Sequence, residues 1–261
     1  MNRKLVFFDI DRTIWDRKNY IPPGTVEAIR MLRKNGHLVF INSGRARGYI
    51  FHPDLLEIGF DGIISGCGTM VEYQGKTVYC HMMDNDFAAD TIKMVREYGF
   101  RPILEGVRYL YFDEEEFGGD PYGEKLRSDL GDRLRTIKNH WANWDIVKFS
   151  CATDHADRTG CFRELEQDFD FMIHNETVAE IVPKGYHKGV GISKVCELLG
   201  EDRKDTIAFG DSANDLGMFS TAGFSVCMGN GTEEARAAAD YVTSGLYEDG
   251  IWNACRYLNL I

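Results

Sequence analysis

The amino-acid sequence predicts an α/β fold in which a parallel-sheet core is interrupted by an α+β insert. Residues 5–8, Leu-Val-Phe-Phe, form a continuous apolar run, which is typical of a strand buried on both faces of a parallel sheet. A helix and a second strand follow within about 40 residues, the order of a right-handed crossover. The same order returns near the C-terminus, whereas residues 85–183 show a different arrangement of helices and strands.

The N-terminal region contains three of the predicted core strands. After the strand at 5–8, Pro22-Pro23-Gly24-Thr25 marks a turn and the start of a helix, which Asn35-Gly36 ends. A second buried-type strand follows at 37–41, and residues 62–65 form a third, short one.

The C-terminal region repeats this pattern. Its predicted helices lie at 188–199, 213–221 and 233–239, and its predicted strands lie at 206–209 and 223–228. Between these two regions, the predicted helices are 87–98, 123–135 and 158–169, and the predicted strands are 109–112, 146–151, 171–174 and 178–182. The last two strands are joined by Asn175-Glu176-Thr177 and predict a hairpin. The expected domains are therefore a discontinuous core, 1–84 and 184–261, and an inserted domain, 85–183.

Composition narrows the function classes. The 261 residues include 30 Lys and Arg against 41 Asp and Glu, a net charge of −11, which disfavours partners that are themselves polyanions. We therefore expect neither nucleic acid nor an anionic membrane surface as a partner.

The seven cysteines are scattered without a C-x-x-C pair, and the N-terminus lacks a signal-peptide core, so we expect a cytoplasmic location.

Polar side chains follow the predicted core strands at the points where those strands end. Because the carboxyl ends of parallel strands meet at one edge of the sheet, these side chains should converge there. Several are carboxylates, which repel one another unless a cation lies among them, and hard oxygen ligands with room for a phosphate suit Mg²⁺. The residues concerned are Asp9, Asp11, Ser43, Gly44, Lys188, Asp211, Asn214 and Asp215.

Each of these motifs also has an ordinary structural interpretation. Asp-x-Asp after an apolar run is often a turn or a helix cap, Ser43-Gly44 alone is typical of a turn, and Lys188 alone is typical of a solvated helix residue. Their occurrence together, in order and each at a strand end, favours the functional interpretation.

Together these motifs resemble those of the haloacid dehalogenase-like phosphatases, and in particular the Cof-type subgroup with a large cap (type IIB). The resemblance covers essentially the whole chain and implies a Rossmann-like parallel-sheet core with an inserted α+β cap domain. The segments that carry it are Asp-Ile-Asp-Arg-Thr at 9–13, Asn-Ser-Gly-Arg at 42–45, Glu-Ile-Val-Pro at 180–183, Lys-Gly at 188–189, Gly-Asp-Ser-Ala-Asn-Asp at 210–215, Met-Gly-Asn at 228–230 and 238–243.

The resemblance implies catalytic roles for two carboxylates. Asp9 would be the nucleophile that forms an aspartyl-phosphate. Asp11 would protonate the leaving oxygen and then deprotonate the attacking water.

The resemblance also implies the ligands of the metal and of the phosphate. Mg²⁺ would be held by Asp9, the backbone carbonyl of Asp11 and Asp211, with Asp215 supporting the site from nearby. The implied phosphate-binding residues are Ile10, Ser43, Gly44, Lys188 and Asn214. Lys188 would also take part in catalysis.

Two positions depart from the family pattern. Arg12 stands where the family usually has Gly, so either Arg tolerates the tight turn or the backbone changes. Its guanidinium would reach a second anionic group of the substrate or point to solvent. Arg45 is a second candidate substrate contact. Cys67 stands where Asn is common in the subgroup, which would remove a polar contact to the leaving group.

The sequence therefore predicts a Mg²⁺-dependent phosphatase that acts on a small phosphorylated metabolite, such as a sugar phosphate, as a monomer or weak homodimer. A phosphomutase shares the core motifs, and a metabolite-binding protein with vestigial phosphatase activity also remains open. Asp11 argues against a dehalogenase, which needs no second acid. A phospho-acceptor signalling domain is about half this length and carries its acidic pair apart from the acceptor aspartate.

Residues 85–183 hold 12 basic and 21 acidic residues, so most of the −11 charge lies in the insert and should disfavour polyphosphate substrates.

Overall fold

The computed structural model describes residues 3–154, 156–173 and 177–261. Their contacts divide the chain into two units. The first, here called the core unit, comprises the described residues up to Gly44 together with Phe51–Cys80 and His187–Ile261. The second, the insert unit, comprises Arg45–Ile50 and His81–Tyr186. The domain limits at 84/85 and 183/184 stay predictions.

The elements of the described chain are as follows. The strands are β1 (Leu5–Phe8), β2 (Leu38–Asn42), β3 (Gly62–Ser65), β4 (Met70–Tyr73), β5 (Lys76–Cys80), β6 (Arg101–Gly106), β7 (Leu110–Tyr111), β8 (Leu134–Arg135), β9 (Ile146–Ala152), β10 (Phe169–Ile173), β11 (Val178–Pro183), β12 (Thr206–Gly210), β13 (Phe224–Cys227) and β14 (Tyr241–Val242). The helices are α1 (Pro23–Lys34), α2 (Pro53–Leu56), α3 (Asn85–Glu97), α4 (Pro121–Leu130), α5 (Arg158–Leu165), α6 (Lys188–Leu199), α7 (Leu216–Phe219), α8 (Glu233–Ala238) and α9 (Gly250–Tyr257). No helix in these described ranges has both the length and the apolar character that a membrane crossing requires.

The core unit is built on a sheet whose strands run in the order β14-β13-β12-β1-β2-β3-β4-β5. The pairs from β14 to β3 are parallel, and β4 and β5 add an antiparallel edge. In the central register, Phe8 lies beside Ile41 of β2 and Phe209 of β12. The strands β1, β2 and β12 therefore end at the same level, and the residues that follow them share one edge. The predicted α/β class with a parallel-sheet core is confirmed.

The insert unit has its own sheet, in the order β10-β11-β9-β6-β7-β8. Its pairs are antiparallel except β7 with β8. Buried residues of α3 and α5 pack with residues of β9 in one apolar cluster, which forms the core of this unit. Asp84 and Asp157 begin these two helices, and their carboxylates accept hydrogen bonds from the first-turn amides.

Three predicted helices are shorter than expected. The helix predicted at 123–135 is wrong beyond Leu130, because Gly131 adopts φ +48 and the chain then enters β8. The helix predicted at 158–169 ends at Leu165, since Phe169 begins β10. The helix predicted at 213–221 begins with a 3₁₀ turn, Ala213–Asp215, and continues as α7.

Several elements were not predicted from the sequence: α2, β4, β5, β6, β8 and α9. The turn predicted at residues 175–177 lies partly outside the described residues, which omit 174–176. The strands on either side of it, β10 and β11, do pair antiparallel.

Candidate active site

Asp9 is the first residue after β1, at the edge where the central strands of the core unit end. Its backbone amide donates to the carbonyl of Phe209 at 2.9 Å, which extends the pairing of β1 with β12 by one residue. Its side chain is almost fully buried. A carboxylate in such a position requires a charged or hydrogen-bonding partner.

That partner is Lys188, the first residue of α6. The Lys188 Nζ lies 2.6 Å from Asp9 Oδ1 and 2.5 Å from Asp215 Oδ1. Burial would lower the pKa of Lys188, but the two carboxylates outweigh it and raise this pKa above its ordinary value. The buried Asn42 side chain donates to the backbone carbonyl of Lys188 at 3.0 Å and fixes the start of the helix. Lys188 is therefore a charged, immobilised cation.

Asp211 and Asp215 follow β12. One oxygen of Asp215 accepts from the backbone amides of Asp211 at 2.8 Å and Ser212 at 3.0 Å, while the other meets Lys188. Gly210 makes this packing possible, because a Cβ at that position would lie 2.4 Å from the Asp215 carboxyl carbon. Asp215 is thus held by the loop that it closes.

Asp9, Asp211 and Asp215 offer oxygens that all lie within 4.8 Å of one another. Burial raises the pKa of Asp9, and burial with the adjacent Asp215 carboxylate raises the pKa of Asp211 to about 7. Asp211 Oδ2 is buried and accepts a hydrogen bond from no described residue. An excess of buried carboxylate oxygens, one of them without a hydrogen bond, fits a hard divalent cation such as Mg²⁺.

The carboxylate of Asp11 lies outside this group. It is exposed, and its Oδ1 accepts a hydrogen bond from Trp15 Nε1 at 3.0 Å. The structure therefore gathers three of the four predicted carboxylates and leaves the fourth at the surface of the core unit.

The predicted phosphate-binding residues lie on the same strand-end loops. Ser43 is buried after β2 and donates its backbone amide to Ile64 at 2.9 Å; Gly44 follows directly and is also buried. Asn214 places its side-chain oxygen 3.3 Å from Lys188 Nζ. The carbonyl of the buried Ile10 accepts from the amides of the turn that follows it.

Arg12 keeps the tight turn by adopting φ +61. Its guanidinium donates to the backbone carbonyl of Asn230 at 2.5 Å and lies 3.3 Å from Asp211 Oδ2. The sequence analysis expected the Arg12 guanidinium either to reach the substrate or to point to solvent, and it did not include this contact with Asn230 and Asp211. Asn230, which the motif comparison noted without a role, returns a hydrogen bond to the Arg12 carbonyl at 2.9 Å.

Two further predicted positions have defined local surroundings. Arg45 belongs to the insert unit, where its guanidinium lies over the ring of Tyr49 at 4.4 Å. Cys67 is buried and adopts φ +59, a conformation that Asn tolerates better than most residues, which explains the usual choice of Asn there.

Comparisons with known proteins show the family of the chain. Residues 6–255 match the family model of the haloacid dehalogenase-like hydrolases. A Bacillus subtilis protein named "Putative phosphatase YkrA" is 32% identical over 264 residues, covering 100% of both chains.

Solved structures share the fold. A hypothetical protein from Geobacillus kaustophilus superposes with a TM-score of 0.86 at 29% identity, over 100% of both chains. A subclass IIB sugar phosphatase of the same superfamily superposes with a TM-score of 0.82 at 23% identity, over 99% of this chain and 100% of that one. The second likeness is one of fold. With its parallel core sheet, the carboxylate group at the strand ends and a family match along nearly its whole length, the chain belongs to the haloacid dehalogenase-like hydrolases.

Proposed function

We propose that the protein is a Mg²⁺-dependent phosphatase that hydrolyses a small phosphomonoester through an aspartyl-phosphate on Asp9. The observation that carries this proposal is the buried Asp9 carboxylate, held 2.6 Å from Lys188 and within 4.8 Å of the oxygens of Asp211 and Asp215. Phosphoryl transfer needs mainly positioning and charge neutralisation, and this arrangement offers both.

In the first step, one oxygen of Asp9 attacks phosphorus and the bond from phosphorus to the ester oxygen breaks. Asp11 gives its proton to the departing oxygen, so the alcohol leaves neutral. In the second step, the ionised Asp11 takes a proton from water, whose oxygen attacks the same phosphorus and releases inorganic phosphate and Asp9. The exposure of Asp11 suits this role, because it must exchange protons with a leaving group and with water.

The other residues hold charge. Lys188 keeps its ammonium group against Asp9 throughout and compensates the negative charge of the transferring group. Ser43, Gly44 and Asn214 would bind the phosphoryl oxygens together with Ile10. Mg²⁺ held by Asp9, the backbone carbonyl of Asp11 and Asp211, with Asp215 beside it, would supply the remaining positive charge.

Hydrolysis of p-nitrophenyl phosphate by the purified full chain tests this function. We expect turnover with Mg²⁺ and none with EDTA. We also expect Asp9→Asn to lose at least about 10³-fold in kcat while its melting temperature stays close to that of the wild type, since the amide keeps the shape but cannot attack.

The matched control is Asp54→Asn. Asp54 lies in α2 of the core unit, outside the carboxylate group, and its side chain is 73% exposed, so kcat should not change. Undiminished turnover in Asp9→Asn would overturn the mechanism. Isomerised phosphate esters among the products, in place of inorganic phosphate, would instead identify a phosphomutase.

The acidic insert indicates the class of substrate. With a net charge of −9 over residues 85–183, it should disfavour polyphosphates and favour monoesters with a neutral or cationic remainder, such as sugar phosphates. A panel of phosphorylated sugars, nucleotides and cofactors would test this preference, and a nucleoside triphosphate as the best substrate would contradict it. A cytoplasmic location and a monomeric or weakly dimeric state remain predictions.

A further inference from the structure

Arg12 occupies an unfavourable backbone conformation next to the carboxylate group. A non-glycine residue at φ +61 is strained, and such strain at a functional site is a reason to examine what the side chain does.

The position of the Arg12 side chain is fixed from both ends. Asn230 accepts from its guanidinium at 2.5 Å and donates to its backbone carbonyl at 2.9 Å. Asn230 is in turn held by the backbone amide of Leu246 at 2.8 Å. The guanidinium is therefore directed by the fold of the core unit.

Its direction is toward Asp211. Arg12 Nη1 lies 3.3 Å from Asp211 Oδ2, the buried oxygen that receives no hydrogen bond within the described part of the chain. The carboxylate that most needs a cation thus has a permanent one beside it. With Lys188 and Arg12 both present, the three carboxylates carry one uncompensated negative charge; without Arg12 they would carry two.

We infer that Arg12 is a positioning residue that weakens the binding of Mg²⁺ by acting as an internal competitor for Asp211. A divalent ion that approaches Asp211 either displaces the guanidinium or tolerates it as a like charge at short range. The Arg12 side chain is 41% exposed, so solvent screens part of the repulsion and the effect is moderate. The protein therefore holds its metal loosely and exchanges it readily. This inference rests on the metal site of the proposed function.

The test is direct titration of the metal-free full chain with MgCl₂ by calorimetry, which needs no turnover. Arg12→Gln keeps a polar side chain but removes the charge, and we expect its Kd for Mg²⁺ to be roughly tenfold lower than that of the wild type. Arg12→Gly also removes the charge, and glycine adopts φ +61 without strain, so this variant should bind Mg²⁺ at least as tightly as Arg12→Gln. It provides a second test if Arg12→Gln does not fold.

Arg17→Gln is the matched control. Arg17 is exposed and lines the same 340 Å³ cavity as Arg12, but lies outside the carboxylate group, so its loss should change Kd less than twofold. Wild-type or weaker affinity in both Arg12 variants would overturn the inference while leaving the proposed phosphatase intact. Failure of every form, wild type included, to bind Mg²⁺ would overturn the metal site and the inference together.

Discussion

Each unit of the protein buries one lysine between two carboxylates, and the two arrangements differ in the hydrogen bonds that the surrounding carboxylates receive. In the core unit, Lys188 meets Asp9 and Asp215 at the ends of parallel strands. In the insert unit, Lys148 is fully buried in the middle of β9, 3.1 Å from Glu105 and 2.6 Å from Glu180. The strands β6 and β11, which carry these glutamates, flank β9 on either side.

The insert cluster is largely satisfied within its own unit. Glu105 accepts hydrogen bonds from the Ser150 hydroxyl and from the Ala46 backbone amide at 3.1 Å, in addition to the ion pair. The core cluster contains a third carboxylate, Asp211, with a buried oxygen that lacks such a partner. A buried lysine thus serves structure where its carboxylate partner has further hydrogen-bond donors, and it indicates chemistry where a neighbouring buried carboxylate oxygen receives no hydrogen bond from a described residue.

The largest expected difference between the two clusters is in turnover. Lys188→Met removes the cation beside Asp9, the proposed nucleophile, and we expect kcat to fall by about 10³-fold or more. Mg²⁺ should restore much of the variant's thermal stability, because it supplies positive charge to the same carboxylates. Assays of p-nitrophenyl phosphate hydrolysis and melting curves with and without Mg²⁺ measure both effects. The exposed Lys204 provides the control Lys204→Met, and equal turnover in the two variants would remove Lys188 from the mechanism.

Lys148→Met should act on stability instead. It leaves Glu105 and Glu180 buried without their cation, which costs about 3–5 kcal/mol in the free energy of unfolding. Mg²⁺ should give little rescue, because Glu105 already accepts hydrogen bonds from Ser150 and Ala46 and the cluster offers two carboxylates where the core site offers three. Denaturant unfolding of this variant beside Lys125→Met, whose side chain is 58% exposed, measures the difference. A loss below about 1 kcal/mol would show that the cluster contributes little.

The smallest effect is a pH dependence confined to the core cluster. The metal-free fold raises the pKa of Asp211 from its ordinary value of 3.8 to about 7. The protonated form is therefore favoured in the fold, and its contribution to stability is present below pH 3.8 and lost as the pH rises through about 7. Because Mg²⁺ binds the ionised form, its apparent affinity should fall roughly tenfold from pH 8 to pH 6. Calorimetric titrations at the two pH values test this, and a flat profile would contradict it.

The core site could be predicted because its residues lie next to recognisable strands in the sequence. Apolar runs such as residues 5–8 and 206–209 end directly in the polar residues of the site, and parallel strands bring those ends together. The pairing registers of β1 with β2 and β12 fix Asp9 at the edge where all three strands end. The placement of Arg12 was less accessible, since its partner Asn230 lies far along the chain and the contact depends on the backbone conformation at Arg12 itself.

The insert cluster was beyond sequence reasoning for a different reason. A lone Lys in a strand is usually exposed, and the three charged residues come from β6, β9 and β11, which are separated by other elements. The missed hairpin of β4 and β5 did carry a sequence signal, because its two-residue turn, Gln74-Gly75, contains a glycine that favours the positive φ observed there. Its strands mix polar and apolar residues and lack the continuous runs that marked the core strands.

The order of the strands in the core sheet also determines when the site can form while the chain is being synthesised. Strand β1 is flanked by β2, made soon after it, and by β12, which pairs Thr206 with Leu5. A growing chain that has completed the insert therefore carries Asp9 on an unpaired strand edge, before Lys188, Asp211 and Asp215 exist as folded neighbours. Because the N-terminal part of a chain is made first, the whole insert sheet can form before the core sheet has its C-terminal strands. We expect Asp9 to gain its neighbours Lys188, Asp211 and Asp215 only after β12 has been made and has closed the sheet beside β1.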